Sequence, residues 1–196
     1  TVLIAAVVLV LPFVVRLGGF KDVKLADEEL GPLRTVAKVH VGAYHKIVPV
    51  IVEVETWAHN NGENCRLSFG EFLDDVETIP EDRLRSNGGC VVEKNWKASG
   101  PPPDSGPSPG PGTRLPALPE GFSYREIPRR RYVTAEFEGA PSIGPLKVYP
   151  KARRRIEEQG LVPDGPVIEL YEVLPGEKVR TKYLFPVREA KNLFGK

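Results

Sequence analysis

Two stretches of this 196-residue chain place apolar and polar residues in nearly the same way. In an extended strand, residues two apart share a face. Over residues 65–73, Cys65, Leu67, Phe69, Glu71 and Leu73 therefore line up together. Over 167–173 the same holds for Val167, Glu169, Tyr171 and Val173, while Ile168 and Leu170 fill the opposite face. Both faces of the second strand read as covered, yet it carries a carboxylate at Glu169. An ionised carboxylate in that setting needs a partner, hydrogen bonds or a proton.

Around these strands the pattern predicts further elements. Residues 32–41 read as a strand closing at Gly42-Ala43-Tyr44. Residues 47–61 fit a strand by the alternation of Val50, Val52 and Val54, and a helix by Ile47, Val50, Val54 and Trp57. Pro49 in a first turn and Asn61-Gly62 as a stop decide for the helix. Strands follow at 65–74 and 84–94. The order then recurs: a strand at 132–137, a helix at 145–159, and strands at 167–173 and 179–187. The second helix has Leu146, Tyr149, Ala152 and Ile156 as its inner stripe, and Pro150 is expected to kink or split it. Residues 20–31 read as a polar, acidic connection. Residues 98–118, rich in proline and glycine, read as a linker or long surface loop.

Gly42, Gly62 and Glu71 fall over Gly139, Gly160 and Glu169 at a nearly constant offset, so the unit strand-helix-strand-strand occurs twice. One such unit leaves part of its apolar surface uncovered, so the two copies should join. The expected architecture is α+β: one antiparallel sheet over 32–187 with helices on one side. Repeat one covers 32–96, repeat two 122–187, and a tail 188–196. The junction predicts a cleft with Glu71 and Glu169 facing it and Tyr44, Phe69, Tyr171 and Tyr183 around it. Aromatic walls over a negative floor suit a small amphipathic or aromatic ligand, and a cation best. The competing reading satisfies both carboxylates internally, through Arg85 or Arg180 on neighbouring strands.

Composition narrows the chemistry. The formal charge of +1 exerts no pull toward nucleic acid, and the triplets Arg129–Arg131 and Arg153–Arg155 read as solvated faces. Two cysteines exclude a disulfide framework, although Cys65 and Cys90 fall roughly opposite each other if their strands form a hairpin. The three histidines lack metal-ligand spacing, and neither a metal nor a cofactor is expected. No nucleophile elbow, Ser/His/Asp order or phosphate loop occurs, so catalysis would rest on Glu169 as a general acid or base. Residues 1–15 form an uncharged apolar run followed by Arg16, Lys21 and Lys24. Residues 1–19 therefore read as a transmembrane anchor, with the domain on the cytosolic side.

The phrases Val39-His40-Val41-Gly42-Ala43-Tyr44, Asp74-Asp75 with Ile79-Pro80-Glu81-Asp82-Arg83-Leu84-Arg85-Ser86, Val133-Thr134-Ala135-Glu136-Phe137-Glu138-Gly139, and Val167-Ile168-Glu169-Leu170-Tyr171 resemble the GyrI-like small-molecule-binding domains. Within them they resemble the membrane-anchored testis-expressed protein 264 group. The resemblance implies a duplicated strand-helix-strand-strand fold with a ligand cleft whose carboxylate would be Glu169. It also implies two alternatives: a membrane receptor or adaptor that binds protein partners, and a hydrolase of reactive electrophiles.

Overall fold

The computed structural model describes residues 15, 17–92, 117–176 and 178–190. Most of the expected anchor and of the proline-rich loop lies outside these residues. Among the described residues no helix is long and apolar enough to cross a membrane.

The first repeat contains β2 (Leu33–Val41), a short 3-10 turn (Tyr44–Lys46), α1 (Val48–Asn60), β3 (Cys65–Phe72) and β4 (Arg85–Val92). The second contains β6 (Arg130–Glu138), α2 (Gly144–Glu158), a short β7 (Leu161–Pro163), β8 (Val167–Leu174) and β9 (Lys178–Glu189). Each repeat is preceded by another strand, β1 (Lys24–Leu30) or β5 (Phe122–Ile127). The sheet runs β1-β6-β9-β8-β3-β4-β2-β5, with β7 added on β9. This order reads as two matching halves that join at the antiparallel pair β3·β8.

Both leading strands are exchanged between the halves: β1 pairs with β6 and β5 with β2. Only Gly31 and Pro32 separate β1 from β2, which lie toward opposite ends of the strand order. So short a connection obliges the sheet to curl until its ends approach. Ala37, Phe69, Tyr132, Ile168, Leu170 and Leu184 form a core on the face away from the helices. Separate cores lie under α1 and α2 on the other face.

The expected connection over 20–31 therefore contains a strand. Lys24–Leu30 has no apolar alternation; its acidic side chains are paired instead. Asp27 accepts from Arg155 at 2.5 Å, Glu28 from Lys182 at 2.7 Å, and Glu29 from Arg129 at 3.0 Å. The α2 stripe also differs from expectation. Val148, Ala152 and Ile156 are buried, whereas Leu146 is 77% exposed. Pro150 sits inside a single helix and does not divide it.

Cys65 and Cys90 form a disulfide that ties β3 to β4, with Cα atoms 5.6 Å apart and a sequence separation of 25. Closing a loop of that size restricts the unfolded chain and stabilises the fold by about 3 kcal/mol. Reduction should therefore lower the urea midpoint by the corresponding amount without changing the far-ultraviolet circular dichroism. An unchanged midpoint would assign the bond no stabilising role.

Candidate functional site

Backbone register decides which side chains can meet at the junction. Across β3·β8, Gly70 lies opposite Glu169 and Glu71 opposite Ile168. Glu169 and Glu71 thus point to opposite faces of one sheet, because a one-residue change of register reverses the face. The sequence alignment that superposed the two glutamates was off by one residue here.

Glu71 and Phe69 consequently stand away from the helices. Phe69 belongs to the core on that face. Glu71 accepts hydrogen bonds from Asn87 Nδ2 and Arg125 Nη1, both at 2.7 Å, and its charge is matched by an arginine that the sequence reading had not considered. Arg85 and Arg180, expected as partners for the glutamates, are engaged elsewhere. Arg85 pairs with Asp74, and Arg180 with Glu138 and Glu172.

Glu169 has no such compensation. It lies under α2, 4% exposed. Tyr149 Oη donates to Oε1 at 3.1 Å, and Tyr171 Oη donates to Oε2 at 3.0 Å. Two phenols cannot offset the loss of hydration, and no cationic group among the described residues contributes. Burial therefore pushes the carboxyl up to about 7, against the lowering effect of both hydrogen bonds. Burial and the adjacent carboxylate likewise raise Tyr149, Tyr171 and Tyr183, so all three remain neutral at ordinary pH, and Tyr149 and Tyr171 stay donors to Glu169. Gly70 contributes by what it lacks: a Cβ there would stand 3.4 Å from Tyr171 Oη and 3.0 Å from the Phe72 ring.

Tyr149 reaches Glu169 from the helix and was expected only as a core residue. Its signal was a tyrosine in an otherwise aliphatic stripe, since a buried phenol calls for a hydrogen-bond partner. Tyr183 is fully buried one layer deeper, its ring edge-on to Tyr149 at 6.2 Å, and its hydroxyl has no hydrogen-bond partner among the described residues. Tyr44 presents its ring beside Phe72 at 4.8 Å. The Tyr44 hydroxyl is used by the backbone of Asp74, donating to its carbonyl at 2.7 Å and accepting from its N–H at 2.8 Å.

These residues line one cleft of about 1190 Å³. Its floor carries Val167, Glu169 and Tyr171 of β8. One wall is α2, with Tyr149 and Ile156, and the other is Tyr44, Ile47 and the chain after β3. Of the six residues expected around the junction, Glu169, Tyr171 and Tyr44 line the cleft, Tyr183 backs it, and Glu71 and Phe69 lie on the other face. The charged residues at its margin are mostly acidic: Asp74, Asp75, Glu77 and Glu157 against Arg153. No group of three or more metal-ligating side chains occurs among the described residues. The site is therefore an apolar, aromatic slot with one buried carboxylate, suited to holding an organic cation.

The family model of the GyrI-like small molecule binding domain matches residues 28–188. No curated protein sequence matches the chain. Among solved structures, the EcmrR C-terminal domain is similar at 15% identity and a TM-score of 0.62, covering 86% of this chain and 99% of that one. The cryo-EM structure of an EcmrR–DNA complex is similar at 15% identity and a TM-score of 0.58 over 86% of this chain, which spans only 58% of that longer one. A protein from Listeria innocua described as a hydrolase is similar at 13% identity and a TM-score of 0.50, covering 84% of this chain and 92% of that one. At these identities the likeness is one of fold.

Proposed function

This chain belongs to the GyrI-like family of small-molecule-binding domains, and from that premise we propose that its cleft binds a small amphipathic aromatic cation without chemically altering it. One observation carries the reading: Glu169 is buried beside two phenols, with no cationic side chain among the described residues to balance it. A bound cation would supply the missing charge, and the aromatic rings would cover its apolar part. Binding to the folded state raises the melting temperature by mass action. A lipophilic phosphonium cation at a hundred times its dissociation constant should stabilise the domain by about 2.7 kcal/mol. A neutral hydrocarbon of the same shape should stabilise it less. Equal shifts from cation and hydrocarbon would overturn the assignment.

A second reading is favoured by the carboxyl value near 7, which suits a general acid or base. Turnover of a strained electrophile that disappears in Glu169→Gln would move the domain to the hydrolases.

The apolar run over 1–15 supports a membrane tether, and the basic residues after it support a cytosolic domain, a placement against which the Cys65–Cys90 disulfide weighs. The adaptor role of the testis-expressed 264 type draws less support from the arginine triplets. Arg129, Arg154 and Arg155 are engaged with Glu29, Glu158 and Asp27 of the same domain.

A further inference from the structure

The chain that follows the apolar run is fastened at one particular corner of the domain. The Ala140 N–H donates to the Leu17 carbonyl at 3.0 Å. Lys147 Nζ donates to the carbonyls of Gly19 at 2.7 Å and Gly18 at 3.4 Å, and also to that of Lys21. A side chain at Gly18 would press on Glu138 and Gly139, which shows how closely this segment is laid on the domain. The corner is also an edge of the cleft, because Pro141, Ser142 and Pro145 line it.

The same edge exposes apolar side chains that a monomer in water would cover. Phe20 is 70% exposed beside the fastening lysine, and Leu146 stands out from the first turn of α2. Across the mouth, Val48 and Val76 line the cleft and are both largely exposed, Val76 at 63%. Isolated surface valines need no explanation, but two exposed valines lining one opening, with Phe20 and Leu146 exposed on the neighbouring segments and an apolar run preceding them in sequence, do.

We infer that this rim is a membrane-docking surface, so that the cleft opens onto the interfacial layer of the bilayer and meets ligands already partitioned there. The inference rests on the tether reading. Residues 17–21 are tied at four carbonyls, so a run entering the bilayer immediately before them holds the corner within a few ångströms of the surface. Apolar side chains at the lips then enter the headgroup region, which is the burial they lack in water. The partner is a lipid surface rather than a second protein, because the segment laid on this corner directly follows the apolar run in sequence.

The test uses the full chain in phosphatidylcholine nanodiscs, with a nitroxide on Val76→Cys, Leu146→Cys or, as a control on β5 opposite Arg34, Glu126→Cys. Cys65 and Cys90 are bonded to each other and do not take the label. Collision with oxygen relative to a water-soluble nickel chelate should be several-fold higher at positions 76 and 146 than at 126. A chain that fails to enter nanodiscs overturns the tether and the docking together, and leaves the cation-binding assay in solution untouched. A chain that enters them with all three positions equally open to nickel overturns the docking alone.

Discussion

Glu169→Gln should make the empty domain more stable at pH 8 and at the same time abolish its selectivity for cations. The sign follows from the buried carboxyl. Its folded-state value is about 7, above the ordinary carboxylate value of 4.5. Between those two values the folded state holds a proton that the unfolded state has released. Stability on account of this group is therefore greatest below pH 4.5 and falls as pH rises through 7. The full difference is about 3 kcal/mol, at roughly 1.4 kcal/mol per pH unit. Glutamine stays neutral at every pH, keeps an acceptor for one phenol and offers a donor to the other. Urea unfolding at pH 5 and pH 8 should show the wild type losing stability and the variant changing much less. Cation affinity at pH 8 should fall on the order of a hundredfold in the variant, since the charge that draws the ligand is gone. In the wild type, affinity should weaken about tenfold per unit below pH 7, as the carboxyl takes up the proton that competes with the ligand. A variant that is less stable at pH 8 and still selects cations would make Glu169 structural and end the binding assignment.

The exchange of stability for binding also explains why only half of the site was legible in the sequence. A glutamate inside an apolar strand is a local contradiction, and Val167 to Tyr171 exposes it without any knowledge of the fold. Its relation to Glu71 depended instead on the register between β3 and β8, and a shift of one residue moves a side chain through the sheet. Gly70 is therefore the residue that faces Glu169, and the hydroxyl of Tyr171 uses the space beside it. The arginine that neutralises Glu71 comes from β5, which joins β2 by a contact no local pattern announces. The strands β1 and β5 show the same limit. Lys24–Leu30 is held by ion pairs to residues 100 or more positions away, so its charges read as a solvated connection. Helices and inner strands, whose periodicity is local, appeared within a few residues of their positions. The cleft between repeats was legible because the duplication itself leaves a junction to fill.

Gly89→Ala should unfold the domain, whereas Gly88→Ala beside it should be tolerated. Asn87-Gly88-Gly89 has the composition of a turn, yet it lies in the middle of β4, with Gly89 opposite Ala37 on one side and Phe69 on the other. A Cβ at Gly89 would overlap the carbonyl oxygen of Val36 and lie 2.9 Å from the Ala37 Cα. Those are backbone atoms of β2, and that strand is fixed by β5 on its far side and by the core under α1. Relief requires separating β2 from β4, which costs ladder hydrogen bonds and core contact together, above about 3 kcal/mol. At Gly88 the added carbon would meet the side-chain carbons of Ile51 at 3.0 Å and Ile47 at 3.1 Å. Those side chains can rotate, so the expected cost is about 1 kcal/mol. Urea midpoints for the two variants decide the matter: equal, small losses would mean that β2 and β4 stand farther apart than this register requires. Glu71 would lose its place in the same failure, since Asn87, which donates to it, lies two residues along β4. The glycine that permits the close strand pair thus also holds in place the compensated carboxylate, whereas Glu169 has no cationic partner among the described residues.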